Sequence, residues 1–188
     1  MPDRPLYLSR LALPVSWEAL DHAPSPEDCG KAAWSNAGVL GFLLHGIEIE
    51  AAQRPGDERL AEALAPLRIK LDTVIEMLSR LTYRDVIVPP VCDIELGTDR
   101  IAWHSPQSLR VGDWLRIKLY FDPTFLEPIV LYGHVASAIP DDQAGGCGVQ
   151  AELAETSLET EEAVARLAFL AQRRQLAQRQ PQAARVGR

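Results

Sequence analysis

The sequence is short of the residues that cross-linking and most catalysis need. Only three cysteines occur among 188 residues, Cys29, Cys92 and Cys147. They are odd in number, widely spaced and never in a CxxC pair. That argues against a disulfide framework or structural zinc and fits free thiols in a reducing compartment. There is no uncharged apolar run of about 18 residues, so no membrane-spanning helix is expected. Met1 to Arg10 has no apolar core followed by a small-residue cleavage site, so a secretory signal is not expected and a cytoplasmic location is. No GxSxG, P-loop, HExxH or GxGxxG occurs. The four histidines, His22, His45, His104 and His134, lack metal-ligand spacing. With no nucleophile, base or metal set in view, no enzyme, cofactor or metal site is expected.

Acid is missing from one stretch. Residues 173–188 hold five arginines and no Asp or Glu; the remaining 14 basic residues face 26 acidic ones, a net of −12 against −7 for the whole chain. An acidic body argues against nucleic acid as the main partner. The tail reads as a solvated extension, or as a contact for an acidic partner or membrane surface. Apolar residues at 47% and charged residues at 24% are ordinary for a soluble globular protein. A chain of this length makes one domain with an elaboration, or two small ones.

Along the chain, Leu11, Leu13 and Val15 alternate as in a half-buried strand, and Pro5 and Pro14 point to an edge or broken strand. Ser25-Pro26-Glu27-Asp28 opens a helix. Ser25 can cap it, Pro26 suits its first position, and the acids suit the positive end of its dipole. Ala33, Ala37, Leu40, Leu44, Ile47 and Ala51 then form a stripe, widened by Trp34, Val39, Phe42, Leu43 and Ile49. A turn at Arg54-Pro55-Gly56 precedes a second cap at Asp57.

The strongest periodic signal follows. Leu60, Leu64, Leu67, Leu71, Val74, Leu78 and Leu81 fall at alternating steps of 4 and 3, an unbroken heptad seam. At roughly 1.5 Å per residue the seam is about 30 Å long. A strict 3.5 repeat is what a coiled coil needs. Ile75 and Met77 flank the seam where a two-stranded coil usually carries charge, which favours three or four strands or a second helical layer. The alternative is a hairpin with residues 26–52 of the same chain. Pro66 lies on the outer side of the pattern and costs about 3 kcal/mol in a helix interior.

From about residue 85 the period becomes 2. Ile87, Val88, Val91, Cys92, Ile94 and Leu96 are extended around Pro89-Pro90. Ile101 and Trp103 follow a turn at 97–99. Leu115, Ile117, Leu119 and Phe121 make another strand; Ile129, Leu131, Val135 and Ile139 a further one. A hairpin loop at 141–146 leads to Cys147, Val149, Ala151 and Leu153. Short antiparallel strands with tight turns predict a small closed or nearly closed barrel, hence an α+β fold. A last helix runs from 158 to 180 on Val164, Leu167, Ala168 and Ala171, and Pro181 is expected to stop it. Asp141-Asp142 could hold a cation or be a solvated turn. Trp103 and Trp114 could form a ligand platform or pack in the barrel.

The runs 93–103 and 109–119, then Tyr132-Gly133-His134-Val135, then Gly146-Cys147-Gly148-Val149-Gln150-Ala151, resemble PilZ domains. So does the end of the last helix, Gln172-Arg173-Arg174. These are small bacterial barrels that respond to cyclic di-GMP. The resemblance covers about residues 85–175 and is similar to the tetrameric PilZ proteins of xanthomonads, whose barrel is interrupted by long heptad helices. It implies a first barrel strand in 1–15, an inserted helical segment in 16–84, the rest of the barrel in 85–157, a C-terminal helix in 158–180 and a basic tail in 181–188.

PilZ proteins that bind cyclic di-GMP use an RxxxR arm and a [D/N]xSxxG motif. Arginines pair with the phosphates and stack on guanine, and short residues let the ligand approach the backbone. Here Glu95 replaces Asp or Asn, Gly97 replaces Ser and Arg100 replaces Gly, and Asp99 adds a second acid. Arg80-Leu81-Thr82-Tyr83-Arg84 is a literal RxxxR, but only ten residues separate Arg84 from Glu95. The resemblance therefore implies a non-enzymatic adaptor with little or no direct cyclic di-GMP binding. It would assemble as a parallel homotetramer through the seam and act on an unidentified protein partner. The alternative is a weak direct receptor using Arg80 and Arg84.

Overall fold

The computed structural model describes residues 8–51, 58–82, 84, 87–122, 125–141 and 145–183; of residues 47–51, 58–61 and 178–183 it describes the backbone alone. The elements run β1 (Ser9–Leu20), α1 (Pro26–Ala51), α2 (Glu58–Thr82), β2 (Val91–Leu96), β3 (Arg100–Ser105), β4 (Trp114–Leu119), β5 (Ile129–Pro140), β6 (Cys147–Leu153) and α3 (Leu158–Ala183). The six strands close into an antiparallel barrel in the order β1-β2-β3-β6-β5-β4. The two long helices thus sit between strands that are neighbours in the barrel.

Alternation builds the core. Ile101, Leu115, Ile117, Leu119, Ile129, Val135 and Ala151 are completely buried inside the barrel. At about 1.5–3 kcal/mol per fully buried aliphatic side chain, these residues supply much of the drive to fold. Gly146 shows how tightly the hairpins close. Its φ is 100°, and a Cβ there would lie 2.1 Å from the Ser105 carbonyl oxygen, so a side chain has neither the backbone angle nor the room.

β1 is longer than the strand expected in 1–15, and it is not an edge. Ser9 to Pro14 pair with β2, and Val15 to Leu20 pair with β4. Pro14 marks this change of partner. Its carbonyl accepts from the Tyr120 N–H, and its missing N–H falls where the ladder changes hands. The helical insertion accordingly begins after Leu20 rather than at residue 16.

Ile139 was expected inside but is exposed. Between Val135 and Ser137 the register with β6 slips by one, so Ala136 is an extra residue and Ala138 faces inward. A bulge of this kind reverses the alternation beyond it. Pro181 does not stop α3, whose backbone stays helical to Ala183. A proline removes one N–H, but its fixed φ is helical, so a final turn can continue past it.

α1 starts as its sequence predicts. The Asp28 N–H donates to Ser25 Oγ at 3.2 Å, and the Ser25 N–H and Oγ donate to Asp28 Oδ2 at 3.1 and 2.6 Å. This is a reciprocal capping box. These bonds, first from the hydroxyl and then from the backbone, hold the Asp28 carboxyl below its ordinary pKa. The buried face of α1 is Ala32, Asn36, Val39, Leu40 and Leu43, whereas Ala33 and Ala37 are exposed. The observed face is turned by about one residue from the expected stripe, which did not include Asn36. The Asp57 cap lies outside the described residues.

Asn36 is the reason for that turn. β6 pairs with β5 only from Gly133 onward, leaving an edge near Val130. Asn36 Nδ2 donates to the Val130 carbonyl at 2.7 Å, and the Val130 N–H donates to Asn36 Oδ1 at 2.8 Å. α3 repeats the device. Gln175 Nε2 donates to the Ala12 carbonyl at 2.9 Å and its Oε1 accepts from the Ala12 N–H at 3.0 Å, on the part of β1 that β4 does not reach. Two side-chain amides therefore stand in for missing strand partners and pin α1 and α3 to the barrel.

Candidate functional site

Two places concentrate the residues singled out by the sequence: the seam of α2 and the outer face of β1, β2, β3 and β6. In α2 the helix continues through Pro66, which is exposed on the outer side as its spacing predicts. Leu64, Leu67, Leu71, Val74, Leu78 and Leu81 are all exposed, from 50% at Leu64 to 71% at Leu81, and Met77 is exposed at 60%. Ile75 is half-buried, and the seam is partly flanked there by half-buried Glu76 and buried Ser79. The Leu60 side chain lies outside the described residues.

Among the described residues, α2 packs against no other element beyond a marginal contact. α1 instead lies on β5 and α3, and α3 lies on β1. The intrachain hairpin with residues 26–52 therefore does not cover the seam. α2 carries its own exposed i,i+4 pairs, Arg80 to Glu76 at 2.6 Å and Arg68 to Asp72 at 4.0 Å. Such exposed pairs contribute only about 0.3–0.5 kcal/mol each. Ile69, exposed at 65% on the opposite side of the helix, has no place in the seam.

The second place is a shallow groove of about 740 Å³. Its floor is small, with Ala12, Ala102 and Gly148, and its polar lining is Arg10, Asp93, Glu95, His104, Ser137, Gln150 and the latch residue Gln175. Glu95 Oε1 accepts from Arg10 Nε at 2.9 Å, an exposed pair. His104 Nε2 lies 3.8 Å from Asp141 at the margin. At the β2–β3 turn the Gly97 N–H donates to the Arg100 carbonyl at 2.8 Å, and Arg100 Nε reaches its neighbour Asp99 at 3.3 Å. Gly97 does not have a positive φ. Burial, and then the Asp93 carboxylate, push the Cys92 thiol pKa up.

The structure brings Glu95 into the groove, places Gly97 and Arg100 at the adjoining turn, and leaves Arg80 and Arg84 out of its lining. Arg80 is engaged with Glu76 on its own helix. A ligand with two phosphates laid in this groove would meet Asp93 and Glu95, with Arg10 as the lysine or arginine of the lining among the described residues, and Arg10 already has a carboxylate. Charge-assisted bonds to phosphate need the reverse balance. Trp103 and Trp114 do not form one platform. Trp103 is buried in the barrel with its ring centre 5.4 Å from that of Trp17, while Trp114 lies against His134 at 5.3 Å. Among the described residues no group of three or more His, Cys, Asp or Glu is placed to hold a metal ion, and no helix is long and apolar enough to cross a membrane. The three cysteines are free.

With this geometry in hand, comparison with solved structures is decisive for the fold. A tetrameric PilZ domain protein from Xanthomonas campestris, described as self-assembled through an unusual helical bundle, superposes with a TM-score of 0.68 at 18% identity; the match covers 92% of this chain and 91% of that one. The fold is that of a PilZ domain. The inserted helices lie within the matched length, so the resemblance read from residues 85–175 extends to nearly the whole chain. The inhibitor of motility from Bacillus subtilis matches over 46% of this chain and 42% of its own, with a TM-score of 0.36 and 18% identity. No family model matches the chain, and no curated protein does.

Sequence reasoning missed the two amide latches of the PilZ-fold barrel. A lone Asn in an apolar stripe, flanked by Val39 and Leu43, was the available signal for Asn36. Gln175 continues the Val164, Leu167, Ala168, Ala171 face of α3 by one more step and could have been found in the same way.

Proposed function

We propose that this chain is a non-enzymatic, self-associating adaptor in cyclic di-GMP-linked signalling in the cytoplasm. Four copies assemble through parallel α2 helices, and the PilZ-fold barrels are carried on the outside to engage a protein partner. The observation that carries this reading is the exposed α2 seam: six large aliphatic residues in one line, unpartnered by the rest of the described chain. Covering the exposed half of six such side chains is worth on the order of 6 kcal/mol per helix, a gain that adds up against the cost of association when several helices share one core. Assembly gives multivalent barrels and raises avidity without new contacts. The carboxylate-lined groove supports little or no direct binding of cyclic di-GMP.

Mass by light scattering tests the assembly. The wild-type chain is expected near four times the chain mass, and Leu71→Glu and Leu78→Glu each to reduce it. Unchanged mass in both variants overturns the seam as the interface. Titration calorimetry with cyclic di-GMP tests the groove. Micromolar binding that disappears in Arg84→Ala would instead favour a direct receptor.

A further inference from the structure

α3 has a second face that the self-association reading leaves unused. Its inner side, with Val164, Leu167, Ala168 and Gln175, is packed against the body of the protein. At 3.6 residues per turn, Arg166, Phe169, Arg173 and Leu176 share the opposite side, one turn beyond the exposed Glu162 on the same line. All four are exposed, Phe169 and Leu176 each at 53%. The Arg173 guanidinium lies 5.8 Å from the centre of the Phe169 ring, within cation–π range. Residues 163–188 contain six arginines and no Asp or Glu, while residues 1–162 carry 13 basic and all 26 acidic residues, a net of −13. The charge is thus strongly polarised along the sequence, and the basic segment includes the exposed Phe169 and Leu176.

We propose that the outer face of α3 is a docking surface for an acidic amphipathic helix of a partner protein, a proposal that rests on the adaptor reading above. Two features fix the chemistry. Arginines present planar forks suited to carboxylates, and here they alternate with apolar residues along one line, Arg166, Phe169, Arg173, Leu176. A helix with Glu and Leu at the same three- and four-residue spacing matches both. A lipid surface matches less well. A helix lying on a membrane buries a continuous apolar face, and the continuous apolar face of α3 is already packed inward.

The test uses the full chain and a fluorescein-labelled synthetic helix carrying Glu and Leu at that spacing, followed by fluorescence anisotropy. A scrambled peptide of equal composition and vesicles of phosphatidylcholine with phosphatidylserine are run beside it. The expected result is saturable binding to the patterned peptide that weakens with salt. Binding should be about tenfold weaker in Phe169→Ser/Leu176→Ser and in Arg166→Gln/Arg173→Gln, the scale expected for loss of anchor residues. Circular dichroism confirms that each variant is folded. Equal binding of the scrambled peptide, equal binding by the folded variants, or binding to vesicles in place of the patterned peptide overturns the proposal. Light scattering on the same samples keeps the two readings apart. Lost peptide binding at unchanged mass is a docking defect, and a wild-type monomer that still binds the patterned peptide sinks the assembly while leaving the docking face standing.

Discussion

The barrel and α2 use the same aliphatic residues to opposite ends. Ile101, Leu115, Ile117 and Leu119 are hidden completely by other parts of their own chain, while Leu64, Leu67, Leu71, Leu78 and Leu81 are left in the open. The difference is one of period. A repeat of 2 that alternates inward is satisfied when a sheet closes on itself. A repeat of 3.5 on a helix that no neighbouring element covers is satisfied only by another helix with the same repeat. One region is complete within a single molecule, and the other, on the proposed reading, is half of an interface.

Mutation can break that contrast at either end. The largest effect is expected inside the barrel. Ile117→Ala should cost about 3 kcal/mol of stability, read from chemical denaturation followed by tryptophan fluorescence. An unchanged midpoint would mean that the barrel is not the stable unit. The seam should behave differently. Leu71→Glu should lower the mass and remove the concentration dependence of Tm that an oligomer shows, while the barrel of the separated chain still unfolds cooperatively. Loss of barrel structure in this variant would show that the two regions are not separable.

The amide latches sharpen the comparison because they join helix to barrel. Asn36→Ala leaves both the N–H and the C=O of Val130 without their partner and should cost about 2 kcal/mol. Gln175→Ala, at a less buried site, should cost about 1 kcal/mol, with faster amide exchange at Ala12. The smallest effect belongs to the α1 cap. Ser25→Ala should cost about 0.5 kcal/mol at neutral pH. The Asp28 carboxyl is held below its unfolded pKa by Ser25, so its share of the stabilisation is present above about pH 4 and is lost as pH falls through the lowered value. The gap between wild type and Ser25→Ala should therefore narrow in acid. A gap that widens there would contradict the capping geometry.

Much of this architecture was legible in the residues. Period-2 runs placed all six strands, the heptad seam placed α2, and the resemblance to PilZ domains joined them into a barrel with inserted helices. What escaped were decisions made by tertiary contact. Ile139 fits the alternation of β5, and only the pairing with β6 reveals the bulge that turns it outward. Ala33 and Ala37 complete a plausible stripe until an unpaired carbonyl at Val130 claims Asn36. Pro14 reads as a broken strand because a sequence does not tell that a strand may change partners at that residue. The motif at 95–100 was readable as degenerate. The pairing of Glu95 with Arg10, which sets the charge of the groove, joins residues far apart in the chain and has no local signature.

The placement of the helices between β1 and β2 also bears on how the protein is made. Seventy residues, 21–90, separate two strands that must lie side by side. At roughly 5–20 residues per second, a ribosome needs on the order of several seconds to deliver the second after the first. Throughout that interval the leading strand has no mate, while the exposed leucines of α2 emerge from the ribosome. Synthesis is thus a stage at which this topology leaves a strand open to misassembly.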